Sequence, residues 1–167
     1  MKLVPLVITL VIFGSSVWHS ADATMKWIPV LRFDCTNMQA TCENICYAIQ
    51  TVGKPDRLTR TSGGAETRYN RNRSCQNLVA TTTCTADEYP FASTQENPPN
   101  PVCTLVPIAE EAEQTSQMNA LYKHSSANGV IDFNQEFKVK LSNYVAQANP
   151  CFAFPIGSGR PCVWNGD

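Results

Sequence analysis

Eight cysteines, at positions 35, 42, 46, 75, 84, 103, 151 and 162, constrain this 167-residue chain more than any other feature. All of them follow an N-terminal stretch that reads as an export signal: Lys2, an apolar run from Leu3 to Phe13, and the small-residue end Ala21-Asp22-Ala23. That run is too short for a bilayer, which takes about 20 apolar residues. The expectation is therefore a signal peptide over 1–23 and a secreted, extracellular mature domain over 24–167. An even cysteine count behind such a signal argues for four disulfides formed in an oxidising compartment. Zinc is the competing use of Cys42-x3-Cys46, but no second pair completes a tetrahedral site. Eight cysteines allow about a hundred pairings. Cys151 and Cys162 bracket the Pro/Gly-rich stretch 152–161 and are expected to close it by pairing with each other.

Beyond residue 23 the chain has a single histidine, His124, read as a surface residue. Sites that need two histidines, including the HExxH arrangement, are thereby excluded. No apolar run long enough to cross a membrane follows the signal.

The formal charge of −1 conceals a segregation. Between Lys54 and Arg73 stand six basic residues (Lys54, Arg57, Arg60, Arg68, Arg71, Arg73) against Asp56 and Glu66. From Ser74 to Tyr122 there is no Lys or Arg, but six acids: Asp87, Glu88, Glu96, Glu110, Glu111 and Glu113. A basic strip suits a polyanion held by phosphate contacts, and an acidic cluster suits a divalent cation. The ordinary alternative is two solvated faces, the arginines lying on an exposed helix surface.

Hydrophobic patterning places a strand over Trp27–Phe33, with Pro29 pointing to a sheet edge, and a helix from Thr36 or Asn37 to Gln50 ended by Gly53-Lys54-Pro55. Short strands are expected over Ala86–Ala92 and Val102–Ile108 around a Pro-rich loop, then a helix over Ala109–Ser125. An interrupted strand over Ile131–Leu141 completes the pattern. The fold class is α+β.

The segment Ala86-Asp87-Glu88-Tyr89-Pro90-Phe91-Ala92 resembles the DEYPFA-type signature of the NucA/NucB family of secreted deoxyribonucleases, which includes many fungal members. Glu110-Glu111-Ala112-Glu113-Gln114 fits that family's Glu-Asn-x-x-Gln-Gly element, and Leu121-Tyr122 falls where the family has an aromatic pair. Asn70-Arg71-Asn72-Arg73-Ser74-Cys75 is similar to its Asn-Arg-x-x-x-Cys stretch, and Gly53-Lys54-Pro55 and Leu58-Thr59-Arg60 resemble the lead-in of fungal members. The likeness spans about 35–141. It implies a metal-dependent, nonspecific DNA endonuclease with a ββα-metal-type core. DNA is the expected partner, with RNA as an alternative substrate, and a monomer without a membrane partner is expected. Two strands followed at once by a helix agree with that plan.

The resemblance implies a role for each candidate. Asp87 takes the place of the general base, the position that a histidine holds in many ββα-metal nucleases. Glu110 is the expected metal ligand and Gln114 its companion, sharing one helix face at i, i+4; the cofactor would be Mg²⁺ or Mn²⁺. Arg73 is expected to act on the reacting phosphate, and Arg60, Arg71 and Arg73 to bind DNA. Glu111 and Glu113 are read as solvated, and Tyr89 and Phe91 as core. Asn72-Arg73-Ser74 is a glycosylation sequon that would crowd the basic strip.

Three departures from the family pattern stand out: Glu111 in place of Asn, Thr115 in place of Gly, and Gln95-Glu96-Asn97-Pro98-Pro99 in place of a Gly-rich segment. They leave two rivals to consider, an inactive secreted effector or binding protein on the same scaffold and a glycoside hydrolase using Asp87 and Glu110 as its carboxylate pair. The basic strip has no use in the second.

Overall fold

The computed structural model describes residues 27–123, 125–146, 149–151 and 162–164. The expected signal peptide and His124 lie outside them.

Alternation of apolar and polar residues builds the first sheet. Strand β1 (Val30–Asp34) turns Leu31 and Phe33 inward, and β5 (Glu136–Ser142) turns Phe137, Val139 and Leu141 to the same core. The two are parallel, with Leu31 opposite Val139. The three-residue β2 (Arg57–Thr59) pairs antiparallel on the other side of β5, giving the order β1-β5-β2. β1 is thus an edge strand, as Pro29 suggested.

The helix expected from Thr36 or Asn37 to Gln50 is broken into three turns of different pitch. A 3₁₀ turn (Cys35–Asn37) ends at Met38, whose φ of −149° is not helical. Helix α1 (Gln39–Cys46) follows, then a wide π turn (Tyr47–Thr51) that gives way to Gly53 at φ +79°. Helix α2 (Gly64–Arg73) has no apolar face, which is why periodicity does not announce it. Its one buried residue is Asn70, whose Nδ2 donates to the carbonyls of Ala92 and Thr94 at 3.0 and 3.3 Å.

Strands β3 (Cys84–Tyr89) and β4 (Val102–Pro107) form an antiparallel hairpin, with Asp87 opposite Thr104. β3 stops at Tyr89, short of the expected Ala92, because Pro90 has no N–H for the ladder and the chain turns where Thr94 N donates to Phe91 O. Helix α3 (Ile108–Leu121) follows β4 without a break, completing a ββα unit. It ends four residues before the expected Ser125: Tyr122 is extended and bridges Ile131. The interruption expected in the last strand is real, since Ile131 pairs with Tyr122 and β5 begins only at Glu136. α1 packs against both the hairpin and α3, while Phe91 joins Phe33 and Tyr89 edge to face at 5.6 and 5.1 Å.

All eight cysteines are paired, as expected, but one pairing is not the expected one. Cys151 and Cys162 do not bond to each other. The bridges are Cys35–Cys42, Cys46–Cys162, Cys75–Cys103 and Cys84–Cys151. Local polar contacts explain the correction. Asn149 Nδ2 donates to Leu105 O, which brings Cys151 to the hairpin, whereas Cys162 N donates to Glu43 Oε1 on α1. The resulting Cα separations to Cys84 and Cys46, 5.9 and 6.0 Å, suit a disulfide. Peptide mapping without reduction should recover Cys46 joined to Cys162 and no peptide joining Cys151 to Cys162. Replacing both Cys46 and Cys162 by alanine should lower unfolding stability by about 2–5 kcal/mol, measured by urea titration.

Candidate active site

A cleft of about 730 Å³ opens between α2, β3 and α3. Thr67, Arg68 and Arg71 of α2 form its basic side, Asp87 and Glu88 of β3 its floor, and Glu111, Gln114 and Thr115 of α3 the facing wall. Phe91, Met118 and Tyr122 close one end.

Asp87 is 3% exposed, a carboxyl at an inward position of a strand. Burial pushes its pKa up to about 8, and the neighbouring charges of Glu88 and Glu111 push the same way. Opposing them, Asn44 on α1 donates from Nδ2 to Asp87 Oδ2 at 2.8 Å, and the Gln114 side chain also favours the charged form. Glu88 is raised as well, chiefly by burial, with the Arg71 guanidinium holding it down in part. The floor thus carries carboxyls that lack a full complement of positive charge. One further polar atom here, Asn44 Oδ1, is buried without a hydrogen-bond partner among the described residues.

The remaining expected residues separate. Gln114 lies at the cleft, 5% exposed. Glu110 does not line it: its Oε2 accepts from Thr41 N at 3.0 Å, capping the first turn of α1 from a neighbouring helix. Its neighbour Glu111, read as solvated, lines the cleft instead and accepts from Thr115 Oγ1 at 3.3 Å. The two positions where α3 departs from the family pattern are therefore bonded to each other. Arg71 faces the cleft. Arg73 does not; it points away along α2, stacked over Tyr69 at 5.3 Å with Nη1 donating to the Tyr69 hydroxyl.

Arg60 lines the cleft but is 6% exposed, held between the rings of Tyr122 and Phe133 at 4.2 and 4.3 Å. Its Nη1 donates to Ile131 O at 2.7 Å, so much of its donor capacity serves the fold. Among the described residues no three His, Cys, Asp or Glu side chains converge as a ready-made metal cage.

Sequence reasoning passed over Asn44 and gave Arg68 and Glu111 no place at the site. Arg68 is three residues before Arg71 and Glu111 three before Gln114, spacings that share a helix face as readily as four. An asparagine inside a helix, where it is a poor former, was the available sign for Asn44.

A family model described as Deoxyribonuclease NucA/NucB matches residues 35–139. The chain belongs to this family. No curated protein matches it. The NucA/NucB match contains the whole ββα unit, both cleft helices and every cleft residue named above. Cys151 and Cys162 lie beyond it, so two of the bridges tie the matched region to chain outside it. Among the described residues no helix is long and apolar enough to cross a membrane.

The buried Asp87 makes stability depend on pH in a definite direction. Its carboxyl holds a proton more tightly folded than unfolded. The stability it contributes is complete below the ordinary value of 3.8 and is lost as pH rises toward about 8. Asp87→Asn removes that loss. In EDTA the variant and the parent should unfold at similar temperatures near pH 4. By pH 8.5 the variant should be the more stable, by on the order of a few kcal/mol. Thermal melts across the range check this; parallel curves would mean that Asp87 ionises freely in the folded state.

Proposed function

We propose that this NucA/NucB-family protein is a secreted, metal-dependent endonuclease that hydrolyses the phosphodiester backbone of DNA with little sequence preference. The observation that carries the reading is the juxtaposition in one cleft of a buried carboxyl, Asp87, with a basic wall formed by Arg68 and Arg71. Cationic side chains grip phosphates whatever the sequence, which suits cleavage with little sequence preference.

In this reading Asp87 is the proton acceptor. A water oxygen forms a bond to phosphorus and the P–O bond to one ester oxygen breaks. The water's proton passes to the Asp87 carboxylate, and the departing oxygen takes a proton from solvent. Arg71 opposes the negative charge that builds on the phosphoryl oxygens, and Arg68 holds the neighbouring backbone. Burial favours the protonated form of Asp87, so its competence as an acceptor rises with whatever favours its anion.

The donor set fits a hard divalent cation. Asp87, Glu111 and Gln114 offer oxygen ligands, and the charge of Glu111 works against ionisation of Asp87, an opposition that a cation between them would relieve. Glu111 and Gln114 would hold Mg²⁺ or Mn²⁺, which when bound supplies charge neutralisation at the phosphate and lowers the pKa of water. Glu110, the expected ligand, is here assigned to α1.

The purified, disulfide-intact protein should nick and degrade plasmid DNA with Mg²⁺ or Mn²⁺ and stop in EDTA. Glu111→Gln should lower turnover by roughly 10- to 1,000-fold and weaken the response to added ion, whereas Glu110→Gln, still an acceptor for Thr41 N, should retain most activity. The reverse ranking would return the ligand role to Glu110. Arg71→Ala should flatten the salt dependence of DNA binding by about one ion's worth, and Arg73→Ala should leave it nearly unchanged. Absence of cleavage by protein shown to be folded would favour a binding role for the same cleft.

A further inference from the structure

Behind the cleft floor, on the side away from solvent, the Asp87 carboxyl meets α1. Asn44 is wholly buried there, and its Nδ2 donates to Asp87 Oδ2 at 2.8 Å. We infer that Asn44 is the positioning residue for the proposed proton acceptor, fixing the carboxyl by one oxygen so that Oδ1 is the oxygen left for the cleft. This rests on the reading of Asp87 given above.

Three observations favour a dedicated role over a packing one. First, the side chain is a poor choice for packing. Asparagine disfavours a helix interior, and Asn44 Oδ1 is buried without a partner among the described residues, a state that an apolar residue of similar size would avoid. Second, its own element is held unusually firmly. Cys42 and Cys46, two residues to either side, are bridged to Cys35 and Cys162. The first turn of α1 is capped by Glu110 from α3, the helix that also carries Glu111 and Gln114. The amide that meets Asp87 is therefore fixed relative to α3, the wall that carries Glu111 and Gln114. Third, the hairpin does not supply the same restraint: Thr104, opposite Asp87 on β4, points its hydroxyl toward Leu105 O at 3.5 Å.

A carboxylate serving as a proton acceptor must present one lone pair along a narrow direction, and a free rotor about its last bond presents it only part of the time. A neutral donor on the other oxygen restricts that rotation without competing for the proton. A basic residue there would form an ion pair with Asp87, and a second acid would have to share its proton. The amide does neither.

The test compares plasmid cleavage at saturating Mg²⁺ by the full-length disulfide-intact parent and by Asn44→Leu and Asn44→Ala. Turnover should fall roughly 10- to 100-fold, as for other groups that orient a catalytic side chain. KM for DNA and the unfolding midpoint in urea should change little. Turnover within twofold of the parent in either folded variant would overturn the assignment, as would a raised KM with turnover intact.

A second measurement needs neither variant. In ¹⁵N-labelled parent protein the Asn44 side-chain amide should show one slowly exchanging hydrogen, and Asp87→Ala should speed its exchange at least tenfold. Rapid exchange in the parent would mean the bond is not held and would sink the proposal even if neither Asn44 variant folds. If the parent protein does not cleave DNA at all, the nuclease reading fails first. Slow exchange that Asp87 controls would still establish the contact, and the positioning role in hydrolysis would fall with the nuclease.

Discussion

Placing Asp87 inside the domain opposes the strong preference of a carboxylate for water, and the surroundings of the cleft can be understood as responses to that one burial. Desolvation and two nearby acids drive the group toward its neutral form. An amide from α1 and another from α3 work against them, and guanidinium groups from α2 stand across the cleft. Two of the three helices thus bring an amide to Asp87 and the third brings guanidinium groups to the cleft, while the hairpin brings the carboxyl itself. Moving any one of them would alter the charge state of the floor.

The helices are secured by different means, suited to their composition. α1 turns Ile45 and its two cysteines into the core and is capped from α3 by Glu110. α3 buries Met118 and Gln114 and runs directly out of β4. α2, polar all round, is attached at points: the Asn70 amide to Ala92 and Thr94, the Ser74 hydroxyl to Asn97, and Cys75 to Cys103. Asn97 is buried and donates to Pro90 O at 2.7 Å, so the Pro-rich stretch that replaces a Gly-rich one in the family pattern acts here as the anchor for the end of α2.

Much of this was legible beforehand where a periodic signal existed. Alternation in Phe137, Val139 and Leu141 gave β5, the run Val102–Ile108 gave β4, and the position of Asp87 on the first hairpin strand placed it beside α3. What escaped was whatever depends on non-local contact. β2 is three residues long and α2 has no apolar stripe, so neither leaves a pattern. Cys151 and Cys162 are near in sequence, but side chains of Asn149 and Glu43 draw them to opposite elements. Glu110 and Glu111 are adjacent acids on one helix, separated in role by about 100° of rotation. Only the approach of α1 to one side of α3 decides which of them meets a backbone amide and which meets the cleft. The double departure at Glu111 and Thr115 looked like two losses from a motif; the hydrogen bond between them makes it a single substitution of one local arrangement for another.

The point attachment of α2 bears on when the cleft exists at all. A helix with an apolar stripe stays docked by the hydrophobic effect after a covalent tie is cut, but α2 has no such reserve. In a compartment that keeps thiols reduced, Cys75 and Cys103 would part, and the cationic wall would hang on a few hydrogen bonds open to competition from water. The carboxyl floor belongs to the hairpin, whose two strands are also joined by a backbone ladder, so it depends on that one bridge less than Arg68 and Arg71 do. The two halves of the cleft, cationic and carboxylic, are thus held face to face by a covalent bond that only an oxidising compartment makes.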